Sequence, residues 1–334
     1  MPFVRRKRCY EHKKYRFAGE TEIKMSVKRI LVVGSANIDF LMTTPYVPSP
    51  GETIVSEGAY TFVPGGKGAN TAVAASKLSS QVIFCARVGD DAYGDRLMGI
   101  YKENDIDLRY VKADKLEQTG LAVVLLEKGG VNRIIVYPGA NKRISESDIE
   151  NAFFSYPDAA ITQFEIGDAA VIATARIANT EGVPLIVDAG PARKDFPLAK
   201  LEQVEILSPN ETETEILTGI RPNTLEDCLR ACIALNNAVD IKYVVLKLGA
   251  RGCYIYDGKY CDLISPFDVQ AVDTTAAGDA FTAALTSEYL KTKNITEAAR
   301  YANAVGALTV TKVGAISSLP NTTEVREFME ENGK

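Results

Sequence analysis

The chain has 334 residues, 46% of them hydrophobic and 24% charged, with a formal net charge of −5. That length suits one large α/β domain, or one domain with a small appendage. The charge gives no electrostatic footprint for nucleic acid, and no apolar run approaches the roughly 20 residues that span a bilayer.

Residues 1–24 carry eight Lys or Arg against three Asp or Glu and lack the apolar middle of a secretory signal. They read as a disordered or non-native extension, with Met25 as the natural start and one domain over 25–334. His12 is the only histidine and falls in that segment. A histidine base is thereby excluded, and acid–base chemistry falls to Asp, Glu, Lys, Cys or Tyr. The six cysteines, Cys9, Cys85, Cys228, Cys232, Cys253 and Cys261, form no CxxC pair. They read as reduced thiols of a cytoplasmic protein, with Cys228 and Cys232 on one helix face in the core.

Apolar strand-like runs follow in order: 29–35, 81–89, 159–164, 184–190, 204–210 and 243–249. Helical stretches lie between most of them, at 67–79, 91–104, 167–182 and 224–238, and the chain closes on helices at 278–292, 295–312 and 322–331. Near-continuous apolar strands alternating with helices predict a mostly parallel sheet covered on both faces, a Rossmann-like α/β/α sandwich. Residues 40–64 and 119–138 break the rhythm with short strands and turns. LAVVLLEKGGVNRIIVYP reads as a hairpin around Gly129-Gly130. Together these two segments predict a small β-layer acting as a lid, an interface or both.

Polar clusters fall at the strand ends, where open α/β sheets bind ligands. In GSANIDF, Asn37 and Asp39 alternate with Ile38, so both polar side chains point one way. The pattern fits either hydroxyl binding or a strand-end turn. In PGGKGANTAVAA, glycines open a helix whose free N–H groups favour an oxygen-rich ligand. In SPNETETEIL, Glu211 and Glu213 begin a helix, and capping or a Mg²⁺ shell explains them equally. KLGARG, Lys247 to Gly252, offers backbone N–H groups and Arg251 to phosphate. In DTTAAGDAF, the bare N–H groups of Ala276, Ala277 and Gly278 form an anion hole beside Asp279, which can take a proton from an attacking hydroxyl. With an ordinary carboxylate pKa of about 4, Asp279 is ionised at neutral pH.

Taken together, GGKGAN, SPNETE, LGARG, DTTAAGDAF and the ending VGAISSLP resemble the ribokinase-like carbohydrate kinase family from about residue 28 onward. The resemblance implies ATP-dependent phosphorylation of the 5-hydroxyl of D-ribose, with deoxyribose, fructose or a nucleoside as alternatives. It implies that Asn37, Asp39, Gly66, Lys67, Gly68, Asn70 and Glu165 hold the sugar, that Asp279 is the base, and that Ala276 to Gly278 receive the phosphoryl group. It places Asn210, Lys247, Gly249, Arg251, Gly252, Gly278 and Asn303 along the nucleotide and Glu213 near Mg²⁺, through water. Asp273, Thr275, Thr309, Lys312, Gly314 and Ser318 match a K⁺ loop built largely from backbone carbonyls. A homodimer through the β-lid is a further expectation.

Overall fold

A computed structural model describes residues 27–127 and 132–333. The basic segment 1–24 and the Gly129-Gly130 turn lie outside the described residues. In chain order the elements are β1 (Arg29–Val33), β2 (Asn37–Thr44), β3 (Thr61–Gly65), α1 (Lys67–Lys77), β4 (Gln81–Gly89), α2 (Ala92–Glu103), β5 (Val111–Asp114), β6 (Gly120–Glu127) and β7 (Asn132–Tyr137). Then come α3 (Glu146–Phe153), β8 (Ala159–Gln163), α4 (Asp168–Glu181), β9 (Leu185–Asp188), β10 (Gln203–Ser208), α5 (Glu211–Thr218), α6 (Leu225–Ala238) and β11 (Asp240–Lys247). The chain ends with β12 (Cys253–Tyr256), β13 (Cys261–Ile264), α7 (Ala277–Thr292), α8 (Ile295–Val310) and α9 (Thr322–Asn332).

Among the described residues, nine strands form the main sheet in the order β13-β12-β11-β10-β9-β8-β1-β4-β5. Pairing is parallel from β11 to β5 and antiparallel at β11–β12 and β12–β13. β1 shows why the fold is layered. Successive side chains of a strand point to opposite faces. Ile30 and Val32 accordingly join the core under α1, α7 and α8, while Leu31 and Val33 join the one under α3, α4 and α6. All four are fully buried, so the run is apolar at every position. Cys228 and Cys232 sit in the second core, as their spacing predicts.

The elements missed in the sequence are β5, β12, β13 and α3. β5 and β13 are four residues long with several exposed positions, so neither makes an apolar run. α3 carried a usable signal, a capping box between Ser145 and Asp148.

A second sheet, in the order β3-β2-β6-β7, stands apart from the first. It starts earlier than the 40–64 segment suggests: β2 begins at Asn37, so the Asn-Ile-Asp run belongs to the strand. Residues 45–60 hold no strand. β2 pairs with β6 in parallel, Asn37 opposite Gly120, and β6 and β7 form the expected antiparallel pair.

The return from the second sheet is clamped by a buried charge network. Asp114 accepts from Arg87 at 2.8 Å and pairs with Arg143 at 2.8 Å. Asp148 accepts from Arg87 at 2.8 Å and from Lys112 at 2.6 Å. Both carboxylate side chains are 3% exposed. Burial alone would raise the Asp114 pKa, but the Leu116 N–H and the two arginines hold it down at about 2. A carboxylate with a depressed folded pKa stabilises the fold above its ordinary value of 3.8, and that contribution fades as pH falls towards 2. Replacing Asp114 with Asn takes the carboxylate partner from Arg143 and leaves Arg87 with Asp148 alone. The variant should lose about 3 kcal/mol at pH 7 and lose less than the wild type between pH 4 and pH 2, as read by urea unfolding.

Candidate active site

Two helices begin at the carboxyl ends of the main-sheet strands, both at glycine- and alanine-rich turns, and they differ in one respect. The N-terminus of α1 is closed. Lys67 N–H donates to Glu165 Oε2 at 2.9 Å, Gly68 N–H to Ser35 Oγ at 3.3 Å, and Ala69 N–H to the Ser35 carbonyl at 2.9 Å. Ser35 Oγ also donates to Glu165 Oε2, at 2.5 Å. Sequence reading expected these N–H groups to face a ligand; the protein itself takes them. Gly68 is required by contact, because a Cβ there would lie 2.5 Å from the Gly34 carbonyl carbon.

The N-terminus of α7 is open. Its cap residue, Ala276, sits in the left-handed region at φ 60°, and no side chain caps it. Ala277 N–H reaches the Thr274 carbonyl at 3.3 Å, so the expected three bare donors become two, at Ala276 and Gly278. An uncapped helix start concentrates positive potential in its first turn.

Asp279 stands in that turn, 5% exposed. Its Oδ2 accepts from Asn70 Nδ2 at 2.8 Å, and its Oδ1 lies 3.8 Å from Lys67 Nζ. Burial pushes its pKa up to about 6, against Lys67 and the Asn70 hydrogen bond, which lower it, and with Asp188, which raises it further. The expected ordinary carboxylate value is corrected accordingly. Asp39 is pushed up to about 7, first by burial and then by the charges of Glu165 and Asp279. Lys67 is held firmly protonated, chiefly by Asp279 and also by Asp188, Glu165 and Glu213. Asn70 Oδ1 is buried without a partner, an acceptor that a bound hydroxyl would satisfy.

Asn37 lies at the start of β2, its Oδ1 accepting from Asn141 Nδ2 at 2.7 Å. Asn141 Oδ1 in turn accepts from Ala36 N–H at 2.8 Å. Sequence reading missed Asn141, which shares a short 3₁₀ turn with Arg143 of the charge network. It also missed Asp188, whose signal was an acid closing the apolar run of β9.

On the far side of α7 a cavity of about 370 Å³ is lined by Lys247, Gly249, Gly252, Phe267, Gly278 and Asn303, among others. Asn303 Nδ2 donates to the Ile264 and Ser265 carbonyls at 3.1 and 3.0 Å, fixing the cavity wall. Arg251 departs from expectation. Its guanidinium binds Glu211 at 2.5 Å and the carbonyls of Pro222 and Asn223 at 2.6 and 2.7 Å, so it braces the α5–α6 turn instead of facing phosphate. Another cavity, of about 330 Å³ near Gln203 and Asp240, lies at the amino ends of β10 and β11, away from all of these groups.

Asn210 and Glu213 form a reciprocal capping box on α5. Glu213 Oε2 accepts from Asn210 N–H at 2.8 Å, while Oε1 faces Gly190 and Lys67. Capping is therefore present, with one oxygen left over. Among the described residues no three acidic, His or Cys groups gather as a metal cage. Asp273 gathers the other loop: it accepts from Thr275 N–H and Oγ and, through Oδ2, from Gly314 N–H at 2.8 Å. The side chains of Thr309 and Ser318 bond their own segments, and Lys312 pairs with Glu324 at 2.7 Å.

A buried acid thus lies between a cluster of polar side chains and a cavity at an open helix start. The chain belongs to the pfkB family of carbohydrate kinases, whose profile matches residues 27–322. It is 35% identical over 305 residues to the ribokinase of Haemophilus influenzae, covering 91% of this chain and 99% of that protein. The deoxyribokinase of Salmonella typhimurium is 30% identical over 307 residues, covering 91% and 99%. The structure of Arabidopsis thaliana ribokinase complexed with ribose and ATP superposes with a TM-score of 0.83 at 34% identity, covering 91% and 99%.

If burial and Lys67 set the Asp279 proton affinity, that carboxyl titrates near pH 6 by carbon NMR. Lys67→Met should move it upward, since a lowering charge is removed. An unmoved titration would show that Lys67 does not act on it.

Proposed function

We propose that the chain is an ATP-dependent ribokinase, transferring the terminal phosphoryl group of ATP to O5 of D-ribose to give ribose 5-phosphate and ADP. The observation that carries this reading is Asp279, buried in the open first turn of α7 between Asn70 and Lys67 on one side and the Gly278 cavity on the other. The similarity to ribokinases along nine-tenths of the chain supports ribose as the acceptor.

In this reading Asn37, Asp39, Lys67, Asn70 and Glu165 hold the sugar, with Gly66 and Gly68 letting the backbone approach. Asp39, with a pKa of about 7, is partly protonated at neutral pH and can donate as well as accept. Asp279 orients the 5-hydroxyl and takes its proton as the oxygen bonds to phosphorus. The bond from phosphorus to the ADP oxygen breaks, and its electron pair leaves with ADP. The transition state is loose, so positioning and charge stabilisation dominate. The Ala276 and Gly278 N–H groups meet the developing charge. A pKa near 6 leaves Asp279 mostly ionised at pH 7 while still basic enough to accept a proton. Lys247, Gly249, Gly252, Gly278 and Asn303 line the nucleotide, with Asn210 near its phosphates.

Glu213, with one oxygen spare and no acidic cage around it, fits a hydrated Mg²⁺ carried on the nucleotide, which would supply charge neutralisation there. The loop that carries Asp273, Thr275, Thr309, Lys312, Gly314 and Ser318 would hold a K⁺ ion, largely through backbone carbonyls. The second sheet acts as the lid. Its β7 edge exposes Ile134, Ile135, Val136 and Tyr137, which suits pairing with a second copy. Free cysteines accord with a cytoplasmic location.

The test is ADP release with Mg²⁺-ATP and K⁺ across ribose, 2-deoxyribose, fructose, adenosine and no sugar. Ribose should turn over fastest, with loss of rate on chelating Mg²⁺ and a lower rate without K⁺. A deoxyribose preference would keep the chemistry and reassign the acceptor. Light scattering should give a dimer that Ile135→Lys dissociates.

A further inference from the structure

We propose that Lys247 is a catalytic residue, a fixed cation that meets the transferring phosphoryl group beside Gly278, and that Asp188 is the positioning residue that aims it. The proposal rests on the kinase reading above. Lys247 closes β11, and its side chain is 10% exposed. Its Nζ donates to Asp188 Oδ2 at 2.7 Å. Asp188 closes β9, two strands away in the sheet, so the pair spans the end of β10. The same Asp188 oxygen accepts from Thr282 Oγ1 at 2.6 Å, and Thr282 lies one turn after Gly278 on α7. One carboxylate oxygen therefore ties the ammonium of β11 to the helix whose N-terminus is open.

The consequence is a placement. A Cβ at Gly278 would lie 3.5 Å from Lys247 Nζ, and both residues line the nucleotide-side cavity. Asp188 uses one of three ammonium N–H donors. The others remain for the equatorial oxygens of the phosphoryl group as the bond to ADP breaks, the bond to the sugar oxygen forms, and the proton passes to Asp279. A staple for stability is a poor explanation of the pair. Burying two ions costs desolvation that a hydrophobic pair of similar volume avoids, and Asp188 is 1% exposed.

The groups facing Asp279 give a second readout, of the pair's charge on the base. Lys67 from α1 and Lys247 from β11 lower its pKa, as does the Asn70 hydrogen bond, while Asp188 from β9 raises it; Asp39 from β2 feels Asp279 in turn. The two members of the pair thus push Asp279 in opposite directions.

Steady-state kinetics against pH, with ribose and Mg²⁺-ATP, tests the proposal on the wild type, Lys247→Met and Asp188→Asn. Lys247→Met should lower kcat about 10²-fold, the scale for removing one donor to a transition-state anion. It should leave KM for ribose unchanged and move the acidic limb of the profile up. Asp188→Asn should lower kcat less, leave KM for ribose unchanged and move that limb down. Lys247→Arg should retain more of kcat than Lys247→Met, and Lys247→Gln replaces the methionine variant if that does not fold. An active wild type whose Lys247→Met variant keeps its kcat, or whose two variants lose only ribose affinity with unmoved limbs, overturns the inference alone. A wild type inactive on every sugar overturns the functional reading and this inference with it.

Discussion

The site depends on an uncapped helix start. Two helices begin among glycines and alanines at the same end of the sheet, and sequence alone gives both the same promise as anion sites. At α1 the donors are consumed by Glu165 and Ser35, so that helix is a rigid wall from which Lys67 and Asn70 project. At α7 the cap residue, the left-handed Ala276, has no polar side chain to offer, and the donors at Ala276 and Gly278 stay open. A left-handed alanine is an uncommon conformation for a residue bearing a Cβ. Strain of this kind is retained where the surrounding fold over-determines it, and it clusters at functional sites. Here the packing of α7 on α1 and α8, with α7 buried along most of its length, supplies that restraint.

Around that opening the protein gathers carboxylates and lysines that are buried or half-buried. Asp39, Glu165, Asp188 and Asp279 face Lys67 and Lys247. Removing water raises the cost of each negative charge, which lifts Asp279 and Asp39 well above ordinary carboxylates. Asp188 is more buried still, yet its pKa is lowered. Burial works against it, but Lys247, Lys67 and the Thr282 hydroxyl prevail. The acids thus divide by their partners: Asp188 is locked in an ion pair with Lys247, and Asp279 is left with a raised pKa.

Much of the scaffold was legible in the sequence. The central strands are apolar at every position because both faces are covered, and β4 was read with the bounds the structure gives it, 81–89. The edge strands β5 and β13 were not, since exposure removes the apolar run that marks a strand. The site was legible as motifs and less so as contacts. Asn37, Asp39, Lys67, Asn70, Glu165 and Asp279 come together from β2, α1, the loop after β8 and α7, as their positions at strand ends and helix starts suggested. What sequence could not give was which donors were already spent. The α1 donors, one of the three α7 donors and the Arg251 guanidinium all have protein partners that only tertiary contact supplies. Asn141 and Asp188 were missed because their roles run through other side chains, Asn37 and Lys247, and local pattern does not encode that.

The most direct test of the account is the Asp279→Asn variant, with ribose and ATP binding measured by calorimetry and phosphoryl transfer followed by phosphorus NMR. The account predicts that both substrates still bind, because Asn keeps the shape of the site, while transfer falls at least about 10²-fold, the lower range for a general base. Near-normal transfer by the variant would contradict it, and would move the proton acceptor away from the first turn of α7.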